Sequence, residues 1–150
     1  MPSSEASIGF LVHALARALR QLADRRLKPL GLSSGHLPVI TALRNSPQLS
    51  QKALAQFAGV EQPTMANTLA RMERDGIVER RPDPLDKRGS LVSLSQHMLK
   101  QLPEIERIVR GIDADALSAI ARAERERLRP VLQSIVKGLD AQLAGESHDA

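Results

Sequence analysis

Residues 49–95 read LSQKALAQFAGVEQPTMANTLARMERDGIVERRPDPLDKRGSLVSLS, and this stretch decides the fold. Ser50 is a typical helix N-cap and Gly59 a typical helix end, so together they bound a first short helix. A second helix is predicted from Gln62 up to the glycine at Gly76. Two short helices separated by a tight connection are typical of a helix-turn-helix.

Two alternating segments follow these helices. Residues 77–81 and 90–94 have the period-two pattern of strands, and the polar, turn-rich residues 82–89 lie between them. A β-hairpin, or wing, is therefore expected directly after the helix-turn-helix. A helix that fits a major groove, with a cationic loop beside it, is suited to holding duplex DNA.

Four more helices are predicted outside this stretch, because apolar residues recur there at steps of three and four. They run over about residues 4–28, from Ser33 or Ser34 to Asn45, from a cap at Ser95 to about Gly111, and from Asp113 or Asp115 to about Leu143. The outer helices are long and amphipathic, so their apolar faces need a partner. A homodimer satisfies that need, although the helices could instead fold back on their own chain.

The composition excludes several classes of protein. The chain has 150 residues and no cysteine, which excludes disulfides, thiolate metal sites and thiol redox sensing. No apolar run approaches the roughly 18 residues of a membrane span, and the N-terminal MPSSEASIGF lacks the pattern of a signal peptide. Histidines stand scattered at positions 13, 36, 97 and 148 and predict no metal site. We expect one cytoplasmic domain with no membrane partner, metal or cofactor.

The charge is basic overall but balanced in the segment of interest. The net charge is +4, which is compatible with an anionic partner. Residues 60–94, however, carry six Arg and Lys against six Asp and Glu. DNA binding by this segment must therefore depend on where the cations are placed.

The second short helix has one apolar and one polar stripe at about 100° per residue. The apolar residues expected inside are Leu54 and Phe57 on the first short helix and Met65, Leu69 and Met72 on the second. The polar stripe and the helix start supply side chains that can read base edges. These candidate DNA contacts are Gln62, Pro63, Thr64, Asn67, Thr68 and Arg71. The alternative interpretation is the solvated face of an ordinary surface helix.

The wing tip adds three further candidates, Asp86, Lys87 and Arg88. An arginine suits the negative potential of a narrow minor groove. Asp86 lies two residues from Arg88, and we expect its carboxylate to hydrogen-bond and orient the guanidinium. The alternative is a solvated charged turn.

In these residues the chain resembles the MarR family of bacterial transcription regulators, and within it the SlyA-like branch. The matching fragments are RLKPLGLS at 26–33, LSQ at 49–51, LA at 54–55, GVEQPT at 59–64, Leu69, ME at 72–73, DGIVER at 75–80, DPLDKR at 83–88 and VSLS at 92–95. The resemblance covers about residues 8–143 and implies a mainly α, winged helix-turn-helix fold of six helices with a two- or three-stranded wing.

The resemblance also implies how the chain is organised and what it binds. It places a DNA-binding lobe at about 33–95 and dimerisation helices at about 4–30 and 96–143, in a single domain of residues 1–150. It implies that a homodimer binds a pseudo-palindrome in double-stranded DNA, with recognition helices in successive major grooves and wings in minor grooves. Many members carry Arg where this chain has Asn67, so the operator sequence is expected to differ.

Family members often bind a small phenolic or carboxylate effector. His13 and Arg17 lie one turn apart on the first helix, and His36 stands near the start of the second, so these three are candidates for an anionic ligand. The favoured alternative is that the histidines are hydrogen-bonded at an interface.

The sequence thus predicts a sequence-specific regulator, a repressor that a small ligand releases from DNA. The alternatives are an architectural or anti-silencing DNA binder or activator with little ligand control, and a protein-interaction module without DNA. An enzyme is not expected, because the chain has no G-x-S-x-G, P-loop, H-E-x-x-H or dinucleotide fingerprint.

Overall fold

A computed structural model describes residues 6–146, which form six α-helices, two 3-10 helices and one three-stranded sheet. The elements are α1 (Ile8–Leu27), 3-10 helices at Lys28–Leu30 and Ser34–His36, α2 (Leu37–Asn45), β1 (Leu49–Ser50), α3 (Gln51–Ala58), α4 (Gln62–Arg74), β2 (Val78–Pro82), β3 (Ser90–Leu94), α5 (Gln96–Leu117) and α6 (Arg122–Glu146). The predicted fold class, mainly α with a winged helix-turn-helix, is confirmed.

The first helix begins at its serine cap. The hydroxyl of Ser7 accepts a hydrogen bond from the Phe10 backbone N–H at 3.2 Å, and α1 therefore starts at Ile8. The predicted start at Ser4 lies outside the described residues. After α1, the backbone N–H of Ser34 donates to the Asp24 carboxylate at 2.6 Å. This bond lowers the pKa of Asp24 and ties the connection before α2 back to α1.

The caps of the helix-turn-helix are those that the sequence predicts. The Ser50 hydroxyl accepts from the Ala53 N–H at 3.2 Å at the start of α3. Gly59 and Gly76 have φ values of 66° and 72°, in the left-handed region that favours glycine. They turn the chain sharply after α3 and after α4, and α4 packs against both α3 and β2.

The wing belongs to a small antiparallel sheet with the strand order β1-β3-β2. Val78 pairs with Leu94 and Arg80 with Val92, so β2 and β3 form the hairpin. Leu49 of β1 pairs with Val92 on the other side of β3. Through this pairing, β1 connects the wing to the start of α3.

The core is aliphatic and lies under the helix-turn-helix. Its fully buried side chains are Leu27, Val39, Leu54, Leu69, Met72, Val78 and Val92. The prediction for Leu54 is confirmed, but that for Phe57 is wrong, because 55% of its surface is exposed. Ala55 is buried in its place, since a helix eight residues long turns one narrow stripe inward.

The boundary between the last two helices differs from the prediction. Ser95 does cap α5, since its hydroxyl accepts from the Met98 N–H at 3.2 Å. However, α5 continues beyond Gly111 to Leu117, and Asp113 and Asp115 lie inside it instead of starting the next helix. Continuing the helix places the buried Ile112 on the same face as other buried isoleucines.

The described chain divides into two compact units at the end of that buried face. One extends up to Ile112, and the other starts at Asp113 and contains the end of α5 and all of α6. The start of α6 is fixed within the second unit: the Ala121 N–H donates to the Glu124 carboxylate at 3.1 Å, and Arg125 donates to the carbonyl of Ile120 at 2.9 Å.

Candidate nucleic-acid interface

Helix α4 has one buried and one exposed face. Met65, Leu69 and Met72 are each at most 2% exposed and anchor the helix in the core. The opposite face carries the predicted DNA contacts, of which Gln62, Pro63, Thr64, Asn67 and Arg71 are exposed and Thr68 is half-buried. The structure thus brings the six candidates of this helix together on one surface.

Two of these polar side chains are held by their own helix. The Thr68 hydroxyl donates to the Thr64 carbonyl at 3.1 Å, and the Arg71 Nε donates to the Asn67 carbonyl at 3.4 Å. The bond from Nε directs the Arg71 side chain along the exposed face and leaves the terminal guanidinium nitrogens for a partner.

The start of α4 presents unsatisfied backbone donors. Glu61 occupies the N-cap position without a side-chain capping bond, and Pro63 has no N–H of its own. Among the described residues, nothing accepts from the N–H groups of Gln62 and Thr64. A helix start of this kind favours a nearby phosphate.

The wing tip is a compact turn that two aspartates stabilise. The Asp83 carboxylate accepts from the Leu85 N–H at 2.8 Å, and the Asp86 carboxylate accepts from the Arg88 N–H at 3.0 Å. Gly89 closes the turn through backbone bonds with Asp83 and Asp86. The expected bond from Asp86 to the Arg88 guanidinium is not formed, because the short carboxylate reaches the backbone two residues on.

The ion pairs explain how a neutral segment can present positive charge. Arg74, Arg80 and Arg81 lie 3.6, 3.2 and 3.8 Å from the carboxylates of Asp75, Glu73 and Glu79. In the described part of the chain, the other three cations of residues 60–94 have no carboxylate within 4 Å. These uncompensated cations are Arg71 on α4 and Lys87 and Arg88 on the wing.

One of these pairs connects α4 to the wing. Arg80 of β2 is 25% exposed and meets Glu73 of α4, but its buried Nε forms no well-aligned hydrogen bond. The sequence does not reveal this contact, since only the fold brings the two positions together.

The three candidate ligand residues lie in different surroundings. His13 and Arg17 are exposed on α1. His36 is half-buried, and its Nδ1 accepts from the Ser33 N–H at 3.1 Å in a capping arrangement before α2. Burial lowers the pKa of His36, the charge of Arg71 lowers it further, and Asp75 and Asp24 oppose the shift.

A cleft of about 360 Å³, which no sequence pattern predicts, lies between the end of α1 and the middle of α5. It is lined by Arg25, Arg26, Pro29, Leu30, Glu104, Arg107, Ile108 and Gly111. Arg107 forms two hydrogen bonds with Glu104, at 2.6 and 2.9 Å, and they lower the pKa of Glu104. In the sequence, the three-residue spacing of Glu104 and Arg107 indicates an ion pair on one helix face but does not indicate the cleft.

Metal sites and membrane spans are both absent from the part of the chain that the structure describes. No group of three His, Asp or Glu side chains there is placed to hold a metal ion. None of the helices between residues 6 and 146 has the length and apolar character needed to cross a membrane.

Comparison with known proteins identifies the fold of this chain. Residues 30–89, which include the helix-turn-helix and most of the wing, match the model of the MarR family. The chain has the MarR fold. A probable transcriptional regulator from Pseudomonas aeruginosa is similar to it, with 25% identity and a TM-score of 0.80 over 87% of this chain and 98% of that chain.

Two other solved MarR structures are similar to this chain. A MarR transcriptional regulator from Methanosarcina mazei Go1 has 22% identity and a TM-score of 0.82, over 89% of this chain and 97% of that one. A mutant MarR from E. coli complexed with operator DNA has 23% identity and a TM-score of 0.79, over 85% and 92% of the two chains. The MarR fold therefore extends well beyond residues 30–89.

Proposed function

We propose that this chain is a MarR-family transcription regulator that binds a specific sequence in double-stranded DNA. The observation that carries the proposal is the placement of the uncompensated cations. Arg71 lies on the exposed face of α4, and Lys87 and Arg88 lie at the tip of the adjacent wing, while the other cations of the segment are paired with carboxylates. A protein that binds DNA through a helix and a flanking loop needs positive charge on both, here on α4 and on the wing.

Each element has its own role in the proposed complex. The exposed face of α4 enters the major groove, where Asn67 is suited to adenine and Arg71 to guanine. The backbone donors at Gln62 and Thr64 meet a phosphate. The wing reaches the neighbouring minor groove with Arg88. The similar fold of the E. coli MarR mutant complexed with operator DNA supports this mode.

The outer helices support a homodimer. Helix α6 has no buried residue in the single chain. Its exposed large apolar side chains are Val131, Leu132, Ile135, Val136, Leu139 and Leu143, and those of α1 are Ile8, Phe10, Leu11, Val12 and Leu15. Two such stripes are larger than the scattered apolar residues of an ordinary surface. We propose that a second copy covers them, with residues 4–30 and 96–143 as dimerisation helices and 33–95 as the DNA-binding lobe.

Regulation is proposed to be repression that a small phenolic or carboxylate effector relieves. Such an effector must bind the DNA-free arrangement of the dimer more tightly than the DNA-bound one. His13, Arg17 and His36 supply hydrogen-bond donors for an anion and remain the candidate contacts. In this function the chain is cytoplasmic, associates with the nucleoid, and catalyses no reaction. The D-P-L-D-K-R wing at 83–88 supports the proposal that it belongs to the SlyA-like branch.

Selection from a random duplex library tests the proposal. The full-length protein is bound to the library, and retained duplexes are sequenced over several rounds. We expect a two-fold symmetric motif with adenine or guanine enriched at positions within each half-site. The double variant Arg71→Ala/Arg88→Ala serves as the control and should enrich nothing. Retention of duplexes without any common motif by the unaltered protein would contradict sequence-specific binding.

A further inference from the structure

A fully exposed leucine stands at the tip of the wing. Leu85 is 96% exposed, more than any other large apolar side chain in the described residues. Most other exposed apolar residues lie on α1 and α6, where they form helical stripes. Leu85 belongs to no such stripe, so the dimerisation proposed above does not account for it.

The turn that carries Leu85 is ordered by its own hydrogen bonds. The Leu85 backbone N–H is bound by the Asp83 carboxylate at 2.8 Å, and Pro84 restricts the backbone just before it. The turn is closed by the Asp83 N–H, which donates to the Gly89 carbonyl at 3.1 Å. A side chain on a preorganised loop loses little conformational entropy when it meets a partner.

The charges around Leu85 indicate the chemistry of that partner. Lys87 and Arg88 follow within three residues, both are exposed, and neither has a carboxylate within 4 Å in the described chain. Asp83 and Asp86 direct their carboxylates to backbone N–H groups of the turn. An apolar tip beside two uncompensated cations matches a surface that is both anionic and partly apolar. The minor groove, with its deoxyribose walls and phosphate edges, is such a surface.

We propose that Leu85 is an apolar wedge that packs into the minor groove beside Arg88 and favours a deformable base step there. This inference rests on the proposed DNA-binding function. Minor-groove proteins insert leucine and similar side chains at base steps that unstack easily. Pyrimidine–purine steps such as TA and CA deform most readily. Through Leu85, the base step at the flank of the operator contributes to the sequence specificity of the protein, although leucine forms no hydrogen bond with a base.

The test measures the affinity of the full-length protein for a selected operator and for a second duplex. The second duplex differs only at the wing-contacted step, where a stiff A-tract replaces TA or CA. We expect the unaltered protein to prefer the flexible step, and Leu85→Ala to bind the operator about tenfold more weakly for each wing, which corresponds to burial of one leucine side chain per protomer. The same variant should lose the preference for the flexible step. Leu85→Met should retain both properties.

Salt dependence separates the wedge from a charge effect. Because Leu85 neutralises no phosphate, Leu85→Ala should keep the slope of log affinity against log salt, whereas Lys87→Ala should reduce its magnitude by about one for each wing, or about two for the homodimer. Thermal melting of Leu85→Ala should match the unaltered protein, since the side chain is exposed.

The outcomes distinguish the wedge from the function on which it rests. If Leu85→Ala binds both duplexes within twofold of the unaltered protein while Arg88→Ala loses affinity, the wedge is overturned and DNA binding stands. If the unaltered protein binds the two duplexes equally, the wedge alone fails, and if it binds neither of them more tightly than an unrelated duplex, the proposed DNA-binding function fails as well. Binding of anionic lipid vesicles that depends on Leu85, with no effect on DNA, would also overturn the wedge.

Discussion

The Asp86 carboxylate accepts a hydrogen bond from the backbone N–H of Arg88 at 3.0 Å. The carboxylate therefore shapes the turn, and in the described chain the Arg88 guanidinium has no anionic partner. Asp86 brings a negative charge close to the proposed DNA surface, which is unfavourable by itself. Its benefit is a fixed backbone at the residue that carries the cation.

Substitution of Asp86 separates its hydrogen bond from its charge. Asp86→Asn keeps an acceptor oxygen for the Arg88 N–H and removes a charge that repels phosphate, so operator affinity should stay equal or increase. Asp86→Ala removes the acceptor, and affinity should fall about fivefold for each wing, the equivalent of one hydrogen bond of about 1 kcal/mol per protomer. Fluorescence anisotropy with a labelled operator measures both. Equal losses in the two variants would show that the charge itself orients Arg88.

The exposed face of α4 should determine base preference. Arg71→Ala should weaken operator binding by about 1–3 kcal/mol and relax the preference at one base position. Asn67→Arg should shift the preference at its position from adenine to guanine. Arg74→Ala is the matched control on the same helix, because Arg74 is 71% exposed and lies beside Asp75. Competition binding against single-base variants of the operator measures each effect. An altered base preference in Arg74→Ala would refute the assignment of base contacts to Asn67 and Arg71.

The contact between Glu73 and Arg80 should stabilise the docking of the wing on α4. Glu73→Ala removes the carboxylate that lies 3.2 Å from the buried Nε of Arg80, so the free energy of unfolding should fall by roughly 0.5–1 kcal/mol, the upper part of the range for ion pairs. Glu79→Ala is the control, since Glu79 and Arg81 form an exposed pair 3.8 Å apart and such pairs contribute little. Urea denaturation gives both values. The expectation fails if Glu73→Ala and Glu79→Ala lower the free energy of unfolding by the same amount.

His36 should make stability depend on pH. Its Nδ1 is the acceptor for the Ser33 N–H, which requires the neutral ring, and burial lowers its pKa below that of the unfolded chain. The unfolded chain therefore takes up the proton more readily, so the stabilisation is present above the unfolded pKa and is lost as pH falls through the lower, folded pKa. His36→Asn supplies an acceptor that does not titrate, so its stability should change less between pH 7 and pH 5.

The measurement for His36 is the urea midpoint of the two proteins across that pH range. The other titratable groups are present in both proteins. His36 contributes to the lowered pKa of Asp24, but that pKa lies below its ordinary value of 3.8, so the Asp24 carboxylate stays ionised between pH 7 and pH 5 in both proteins. A pH dependence that is identical in the unaltered protein and in His36→Asn would exclude the role assigned to the ring.

Local patterns were sufficient for the parts of the fold that local chemistry controls. Gly59 and Gly76 end their helices because left-handed backbone favours glycine, and this could be predicted from the sequence. The exposed face of α4 followed from helical periodicity. By contrast, Asp113 and Asp115 resemble helix caps, but burial of Ile112 favours continuing α5 through them. Tertiary burial of this kind is not encoded by a local pattern.

The same distinction applies to the candidate site. A separation of two residues between Asp86 and Arg88 permits either a side-chain or a backbone bond, and the geometry of the turn decides between them. The sequence predicts Phe57 inside because it is large and apolar, yet the short α3 turns Leu54 and Ala55 inward. The charge balance of residues 60–94 was predictable, but the pairing that leaves Arg71 and Arg88 uncompensated was not.

Hydroxyl-radical footprinting on the best selected duplex tests sequence-specific binding most directly. Two copies of α4 should protect two half-sites whose centres lie about one helical turn apart, roughly 34–36 Å. Protection should extend into the flanking minor grooves where the wings lie, and Arg88→Ala should remove only that outer protection. Uniform protection along the duplex, or a pattern that Arg71→Ala and Arg88→Ala leave unchanged, would contradict binding through α4 and the wing.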